Sequence, residues 1–347
     1  MIKINNRIIS EKTKPYIIAE LSANHNGSFK KAKNLIKKIA KSGVDAVKLQ
    51  TFLPEEMTLK SKKKDFIIKD KKSLWKGYDL YSLYKKAMTN FEWHQALFKE
   101  SKKKKLTIFS SVFDENSIKF LEKLKVPAYK IASFENNHYP LIQKVLKQNK
   151  PTLISLGATT NQEFTELRKI LLKSKNKKSI LMKCTSIYPS PNSELNLKGI
   201  LTIRKNGYLA GFSDHSRSFT ASLCAVALGA CVIEKHVKDD KDVKSLDSDF
   251  SLPVSELKDF VKKIQEAWVS LGRNTIVLTK KEKKSRIFKR SIYVSKNVKK
   301  NEKFTNHNVK IIRPGYGLET KYYAKVLKSK SKVNLSQGTR LKLSHLK

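Results

Sequence analysis

The sequence predicts an α/β protein: a closed (β/α)₈ TIM barrel followed by a small C-terminal domain. Three observations support this prediction: short apolar runs recur, Lys-rich amphipathic segments separate them, and polar residues stand where each run ends. Strands that alternate with helices pair in parallel, and eight of them are typical of a barrel. An open doubly wound sheet is the alternative, which is weakened because no Gly-rich phosphate loop follows the first run. The runs are 16–19, 44–47, 106–109, 128–131, 152–154, 179–182, 209–212 and 231–233.

The apolar runs also predict the domain boundaries. We expect the barrel domain to cover residues 1–278 and the small domain to cover 291–347. Between them, 279–290 is a charge run without an apolar face, so we predict a linker or a solvated helix. The small domain has too few residues to be very stable alone, and we expect it to dock or to dimerise. Inside the barrel, 53–84 is predicted to be a long inserted loop at the active face, before a helix that begins at Phe91.

The composition is strongly basic, with 73 Lys and Arg against 30 Asp and Glu and a formal net charge of +43. A nucleic-acid-binding protein is therefore one alternative. The lysines are scattered along every predicted helix, and arginines, which read bases better, are few. We therefore expect no nucleic-acid partner. Three cysteines without metal spacing indicate a reduced, cytoplasmic chain, and no apolar run is long enough to predict a membrane span.

Two histidines follow neighbouring predicted strands. His215 comes after the run that ends at Phe212, and His236 comes after the run that ends at Ile233. The segment between them, 219–229, has helical apolar spacing, so this is a strand–helix–strand unit whose strand ends share one edge. Two imidazoles at that edge could hold a divalent metal and leave open positions for substrate. The alternative is that each histidine only caps a strand end.

Polar residues follow all eight runs, and in a barrel they face one mouth, where active sites lie. Among them, Lys48, Lys130 and Lys183 have apolar neighbours, and a buried lysine needs an anionic partner. Each could pair with a carboxylate of a neighbouring strand, but we expect lysines and hydroxyls to outnumber those carboxylates. The mouth is then predicted to bind a phosphate or phosphocarboxylate. The remaining strand-end residues are Glu20, Ser22, Asn24, His25, Gln50, Ser110, Ser111, Ser133, Glu135, Ser155, Thr185, Ser186, Tyr188, Ser213, Asp214 and Glu234.

A third feature is a turn in the small domain, where Arg313 precedes Pro314 and Gly315. The turn presents a guanidinium fork on a rigid backbone. A plain surface turn is the alternative.

Several stretches, in this order, carry a resemblance to a known family. They are 17–27, 45–51, 127–133, 183–189, 212–215, 227–230, 234–236 and 312–317. Because of them the chain resembles the sialic acid synthase family from end to end. Further stretches resemble the branch of the family that makes pseudaminic acid. These are 21–26, 74–77, 79–84, 91–94 and 130–135.

The resemblance implies a homodimer in which each C-terminal antifreeze-like (SAF) domain covers the partner's barrel. It implies condensation of phosphoenolpyruvate with 2,4-diacetamido-2,4,6-trideoxy-altrose to give pseudaminic acid and phosphate. The alternative is an N-acetylneuraminate or legionaminate synthase that uses another amino-hexose. A non-catalytic sugar-binding relative is a third hypothesis. It rests on Ser245, Leu246 and Asp247, which stand where the family usually has Gly-Pro-Asp.

The resemblance also implies roles for single residues. His215 and His236 would hold a divalent metal, Mn²⁺ or else Mg²⁺ or Co²⁺, and Arg313 would reach the partner's active site. Glu20 would act with the two histidines in catalysis by handling a water proton. Glu20, Glu135, Tyr188 and Asp247 would face the sugar. Phosphoenolpyruvate would be held by Lys48, Ser111, Ser133, Ser155, Lys183, Ser186 and Ser213.

Overall fold

A computed structural model describes residues 2–241, 244–273 and 275–347. The chain divides into two compact units, one that extends to Gly272 and one that begins at Arg273. The strands are β1 (Ile2–Ile4), β2 (Arg7–Ile9), β3 (Tyr16–Glu20), β4 (Ala46–Thr51), β5 (Thr107–Val112), β6 (Tyr129–Ile131), β7 (Thr152–Ser155), β8 (Ser179–Cys184), β9 (Leu209–Asp214), β10 (Val232–Lys238), β11 (Leu252–Pro253), β12 (Ser291–Val294) and β13 (Val309–Ile312).

Most of the α-helices alternate with the barrel strands, while α11 and α12 belong to the second unit. They are α1 (Phe29–Ile39), α2 (Pro54–Met57), α3 (Leu80–Ala87), α4 (Phe91–Lys103), α5 (Glu115–Lys123), α6 (Tyr139–Lys147), α7 (Asn161–Lys173), α8 (Gly199–Lys205), α9 (Thr220–Ala227), α10 (Leu257–Leu271), α11 (Glu282–Ser285) and α12 (Tyr323–Leu327). Short 3₁₀ helices are Ser22–His25, Lys64–Phe66, Asn192–Glu194, Ser248–Phe250, Arg286–Phe288, Thr320–Tyr322 and Leu343–His345. In the described part of the chain, no helix combines the length and the apolar character that crossing a bilayer requires.

Strands β3 to β10 form a closed parallel barrel, so the predicted fold is confirmed. Each strand pairs with its successor, and β10 also pairs with β3, where His236 lies opposite Glu20. Every predicted apolar run overlaps one of these strands. The predicted helix 219–229 is α9.

Helix α1 shows how the sequence produces the outer layer. Its N-cap Ser28 accepts a hydrogen bond from the backbone N–H of Lys31, which satisfies one donor of the first turn. Ala32, Leu35, Ile36 and Ile39 recur at helical spacing and are buried against the barrel. The lysines of the helix occupy the positions between them.

The insertion after β4 is more ordered than predicted. The predicted loop 53–84 contains α2, a 3₁₀ turn at Lys64–Phe66 and the start of α3. The prediction was wrong from Leu80 onward, because Asp79 caps α3 by accepting a hydrogen bond from the backbone N–H of Ser82 at 2.9 Å. Leu83 then anchors α3 through its buried side chain.

The sequence analysis did not predict the hairpin of β1 and β2. These two antiparallel strands have only three residues each, too few for a clear alternating pattern. Ile2, Ile4 and Ile9 are buried in a cluster with Tyr16 and other residues at the starts of barrel strands. The hairpin therefore closes the amino-terminal end of the barrel, opposite the predicted mouth.

The second unit is built around the antiparallel pair of β12 and β13, in which Ser291 lies opposite Ile312. Both strands lie within residues 291–347, the range that the sequence predicted for the small domain. The core of the unit includes Ile292, Phe304, Val309 and Leu341. The preceding charge run contains the short α11, which has no buried residue. Arg313 follows β13 directly and is exposed.

Candidate active site

A cavity of about 550 Å³ lies at the carboxyl ends of the barrel strands. Strand-end residues form its floor and the insertion after β4 forms one flank. Most of the predicted site residues line it: Glu20, Lys48, Ser133, Glu135, Ser155, Tyr188, Ser213, His215, His236 and Asp247. Ser111 and Ser186 lie directly behind lining residues, to which they are hydrogen-bonded. Arg313 belongs to the other unit.

The floor is a buried cluster of charges centred on Glu234. One oxygen of its carboxylate, Oε1, receives Lys130 Nζ at 2.8 Å, Lys48 Nζ at 3.2 Å and Ser213 Oγ at 2.9 Å. The other oxygen, Oε2, is buried without a hydrogen-bond partner. An unpartnered carboxylate oxygen in the interior is costly, so it marks a place where a substrate group or water can bind.

Glu20 connects this cluster to the histidines. Its carboxylate accepts hydrogen bonds from Lys48 Nζ and Gln50 Nε2, both at 2.9 Å, and lies 3.1 Å from His236 Nε2. Burial disfavours the charged form, but interactions with His236 and with the Lys48 ammonium outweigh burial and hold the pKa of Glu20 well below 4.5. Glu20 is therefore an anion at neutral pH and can accept a proton.

Two of the three predicted buried lysines are paired with carboxylates. Lys48 contacts Glu20 on the neighbouring strand β3, and both Lys48 and Lys130 contact Glu234, whose strand β10 is next to neither of theirs. Lys183 lies outside this cluster, and its Nζ donates to the carbonyl oxygen of Cys184 at 2.7 Å. Burial lowers the pKa of Lys183. Lys48 Nζ also donates to Ser111 Oγ at 3.1 Å, so each of its three hydrogens has an acceptor, whereas the buried Ser155 Oγ beside the floor has no partner and can donate to an anion.

The two predicted metal ligands lie side by side, with ring centroids 5.2 Å apart. His215 Nδ1 lies 3.0 Å from the carbonyl oxygen of Thr185, and a donor there leaves Nε2 free as a ligand. His236 Nδ1 is buried without a partner. Among the described residues, no three His, Cys, Asp or Glu side chains converge as a metal group. The pair of imidazoles beside an anionic Glu20 fits a divalent ion that keeps open positions.

A group of hydroxyls borders the floor on the side of β6 to β8. Ser186 Oγ donates to Ser133 Oγ at 2.8 Å, and Ser155 Oγ is buried without a partner. Gly157 makes this approach of the hydroxyls feasible, because a Cβ there would lie 2.2 Å from Ser186 Oγ. Asn136 Nδ2 fixes the same turn by donating to the carbonyl oxygen of Gly157 at 2.8 Å. The arrangement suits a phosphate or a carboxylate.

Some strand-end residues predicted to face the mouth point away from it. Asp214 is paired with Lys235 at 3.0 Å and accepts a hydrogen bond from Ser222 Oγ at 2.7 Å, so it faces the helix layer. Ser110 faces outward too: its hydroxyl is hydrogen-bonded to the hydroxyl of Thr51, which is also hydrogen-bonded to His94 Nε2. The reason is the two-residue period of a strand, which places neighbours on opposite faces. Only alternate strand-end residues can reach the cavity.

The flank made by the insertion is mainly apolar and aromatic, with Asp70 and Ser73 as its polar lining residues. It includes Phe52, Met57, Leu80, Leu83 and Tyr84. A second aromatic group surrounds the histidines: the ring centroid of Tyr188 lies 4.4 Å from that of His215, 5.0 Å from Phe250 and 5.5 Å from Trp75. The cavity therefore joins a charged floor to an apolar flank.

Two carboxylates lie at the border of floor and flank. Glu135 is half-buried, its Oε2 has no partner, and burial raises its pKa to about 7. Asp247 is buried, and its Oδ2 accepts hydrogen bonds from the backbone N–H of Ala23 at 3.1 Å and from Ser22 Oγ. Burial raises the pKa of Asp247, although His236 opposes this shift.

Comparison with known proteins agrees with this geometry. The profile of the NeuB family matches residues 35–275, and that of the SAF domain matches residues 289–347. The chain belongs to the NeuB family. As a NeuB-family chain it is 44% identical to "Pseudaminic acid synthase" of Campylobacter jejuni subsp. jejuni, over 95% of this chain and 96% of that protein. It is 34% identical to "N,N'-diacetyllegionaminic acid synthase" of the same species, over 90% and 95% of the two chains.

A solved structure of a similar protein supports the shared architecture. The N-acetylneuraminic acid (sialic acid) synthetase of Leptospira borgpetersenii, crystallised with citrate, is 27% identical to this NeuB-family chain. Its TM-score is 0.73, with 82% of this chain and 94% of that chain covered.

Some residues of the site were not singled out by the sequence analysis. Glu234 and Gln50 were noted only as strand-end residues, although Glu234 organises the floor. The signal was present, since Glu234 and His236 are two residues apart on one strand and so share a face. Gly157 and Trp75 carried no such signal, because their roles depend on contacts with distant parts of the chain.

Proposed function

We propose that this protein condenses phosphoenolpyruvate with 2,4-diacetamido-2,4,6-trideoxy-altrose to give pseudaminic acid and phosphate. The observation that carries the proposal is the division of the cavity into a charged floor and an apolar flank. Phosphoenolpyruvate is a small polyanion suited to the floor. The trideoxy sugar has methyl groups at C6 and on both acetamido groups, which suit the flank.

The floor residues bind and orient the enolpyruvate. Lys48, Lys130 and the hydroxyls of Ser133, Ser155 and Ser186 would hold its phosphate and carboxylate while the sugar aldehyde lies against the flank. The enolpyruvate methylene then attacks the aldehyde carbon and forms the new C–C bond. Holding the two reactants in this geometry removes most of the entropic cost of their encounter.

Completion of the reaction requires a water. Water adds to the cationic enol carbon, and the C–O bond to phosphate then breaks. Glu20 is our candidate to accept the proton of that water, because its carboxylate is anionic and lies beside His236. His215 and His236 would hold a divalent ion, Mn²⁺ in our proposal, which when bound supplies a Lewis acid for the aldehyde oxygen.

The proposal includes the assembly of the enzyme. We infer a homodimer in which Arg313 of one SAF domain contributes to the partner's active site. A guanidinium there would suit the oxygen atoms of the sugar substituents. All three cysteines are free, which supports a reducing, cytoplasmic location.

The deciding experiment is phosphate release from phosphoenolpyruvate with Mn²⁺, with the diacetamido-altrose and with N-acetylmannosamine in parallel. We expect release with the altrose and much less with N-acetylmannosamine, whose C6 carries a hydroxyl in place of the methyl group that suits the mainly apolar flank. Release with N-acetylmannosamine alone would support an N-acetylneuraminate synthase instead. A sample treated with a chelator and then restored with Mn²⁺ tests the metal.

A further inference from the structure

A second cavity of about 710 Å³ lies next to the active-site cavity. Trp75, which belongs to the insertion, and Leu246, which belongs to the loop after β10, line both cavities. The indole Nε1 of Trp75 donates to the carbonyl oxygen of Leu246 at 3.0 Å. These two residues therefore form a wall between the cavities, which we call the Trp75–Leu246 wall.

Both sides of the wall are held in place. On the insertion side, the backbone N–H of Ile68 donates to the carbonyl oxygen of Tyr78 at 3.0 Å, and Gly77 donates back to Ile68 at 2.9 Å. These bonds close the loop 68–78, which contains Trp75. The ring of Trp75 also packs against Tyr188.

The side that carries Leu246 is attached to the barrel. The carboxylate of Asp247 is held by Ser22 and Ala23, and Ser245 Oγ donates to Asn24 Oδ1. The carbonyl oxygen of Asp247 accepts a further hydrogen bond from Ser251 Oγ at 2.6 Å. Leu246 is thus fixed between two anchored neighbours.

The surroundings differ on the two sides of the wall. On the active-site side, Trp75 and Leu246 continue the apolar flank with Met57 and Leu80. On the outer side, Lys85, Lys86 and Lys244 line the second cavity, and all three are exposed. An apolar substituent that reaches the wall therefore meets the side chains of Trp75 and Leu246, beyond which lies the second cavity with its exposed lysines.

We propose that the Trp75–Leu246 wall sets the largest N-acyl group that the sugar substrate can carry. This inference rests on the proposed function. In the proposed function, phosphoenolpyruvate occupies the charged floor, so the sugar lies toward the insertion. There the ring of Trp75 packs against Tyr188, and Tyr188 packs against His215. The wall stops an acetyl-sized group, and a longer chain would need to enter the outer cavity.

The test compares substrates within each variant. Two analogues of the diacetamido-altrose are prepared, each with one acetyl group extended to butanoyl. The measured quantity is kcat/KM for an analogue divided by kcat/KM for the parent sugar. For at least one analogue, we expect Trp75→Ala to raise this ratio 10-fold or more over the unsubstituted protein, since a methylene is worth roughly 10-fold or more in a tight pocket.

Leu246→Ala provides a second variant, because it shortens the side chain and keeps the carbonyl oxygen that accepts the Trp75 bond. It should raise the same ratio, and it carries the test if Trp75→Ala does not fold. Met57→Ala is the matched control: Met57 lines the active-site cavity but not the outer one. In Met57→Ala, the ratio of analogue to parent kcat/KM should change less than about 3-fold, because the active-site cavity grows but is not joined to the second cavity.

An unchanged ratio in both wall variants, or an equal rise in Met57→Ala, would overturn the proposal. A merely structural role would lower kcat/KM for parent and analogue in proportion and leave the ratio constant. Failure of the proposed function is distinguishable, because the unsubstituted protein would then release no phosphate with the parent sugar. In that case, calorimetry tests the wall by binding alone: Kd for the parent sugar divided by Kd for an analogue should rise in the two wall variants and not in Met57→Ala.

Discussion

At the residue scale, the site depends on a few buried side chains that share hydrogen bonds. His236 is the clearest example, since its ring lies beside His215 and its Nε2 contacts Glu20. Glu20 retains Lys48 and Gln50 as partners when His236 is removed. The metal contribution of His236 can therefore be tested without losing the fold.

We expect His236→Ala to lose phosphate release by at least about 100-fold, because His236 is the proposed metal ligand and contacts Glu20, the proposed proton acceptor. Electron paramagnetic resonance of bound Mn²⁺ should show weaker binding, while the melting temperature stays close to that of the unsubstituted protein. His307→Ala, an exposed position in the second unit, is the control. Unchanged Mn²⁺-dependent turnover in His236→Ala would refute the metal assignment.

Glu135 predicts a pH dependence of stability. Its folded-state pKa of about 7 lies above its ordinary value of 4.5, because the carboxyl is buried. Between pH 4.5 and 7 the folded chain therefore binds more protons than the unfolded chain. The contribution of Glu135 to the free energy of unfolding falls as pH rises through this range and is constant above about pH 7. Glu135→Gln removes this loss.

In denaturant titrations, Glu135→Gln should be more stable than the unsubstituted protein by about 2 kcal/mol at pH 8 and no more stable at pH 4. Glu266→Gln, on the exposed face of α10, is the control and should follow the unsubstituted curve. Parallel stability curves for Glu135→Gln and the unsubstituted protein would show that Glu135 is not protonated in the folded state at pH 5–6.

At the element scale, the hairpin of β1 and β2 should matter for stability and not for catalysis. Ile4 is fully buried among residues at the amino-terminal ends of barrel strands, far along the barrel from the site. Ile4→Ala should lower the free energy of unfolding by about 2–5 kcal/mol, through lost burial and the cavity it leaves. The kcat of the folded protein should be unchanged.

Urea unfolding measures the effect, and Lys3→Ala is the matched control, since Lys3 lies on the same strand with its side chain exposed. Equal stability of Ile4→Ala and Lys3→Ala would mean that the hairpin is not part of the barrel core. A fall in kcat for Ile4→Ala at a temperature where it is folded would mean that the hairpin affects the mouth.

The elements also show what the sequence could predict. The barrel strands coincide with short, mainly apolar runs, and lysine-rich amphipathic helices separate them, so both elements can be recognised in the sequence. The hairpin and the capped helix α3 were missed because three-residue strands and one Asp cap carry little pattern. In the site, the positions of the strand ends could be predicted. The sequence does not show whether Ser213 or Asp214 faces inward, because that depends on the register of β9 against β10 where the barrel closes.

At the scale of the whole molecule, the sequence predicts that two chains build each active site. Arg313 follows β13 on an exposed turn of the second unit, and the cavity belongs to the first. If Arg313 acts on the partner's cavity, a chain that lacks it can be rescued by a partner that supplies it. Such a rescue experiment distinguishes Arg313 that acts on the partner's cavity from Arg313 that acts on the cavity of its own chain.

We expect His236→Ala and Arg313→Ala to be nearly inactive as separate homodimers. When the two are co-expressed, random pairing makes about half of the dimers mixed, and each mixed dimer has one complete site: an intact barrel from the Arg313→Ala chain beside the Arg313 of the other chain. Phosphate release should then recover to about a quarter of the unsubstituted value. If Arg313 acts within its own chain, the mixed dimer has no complete site, and the co-expressed sample stays as inactive as its parents. Light scattering of the same samples establishes that dimers are present, so a lack of recovery in dimeric protein would overturn the inferred action of Arg313 between chains.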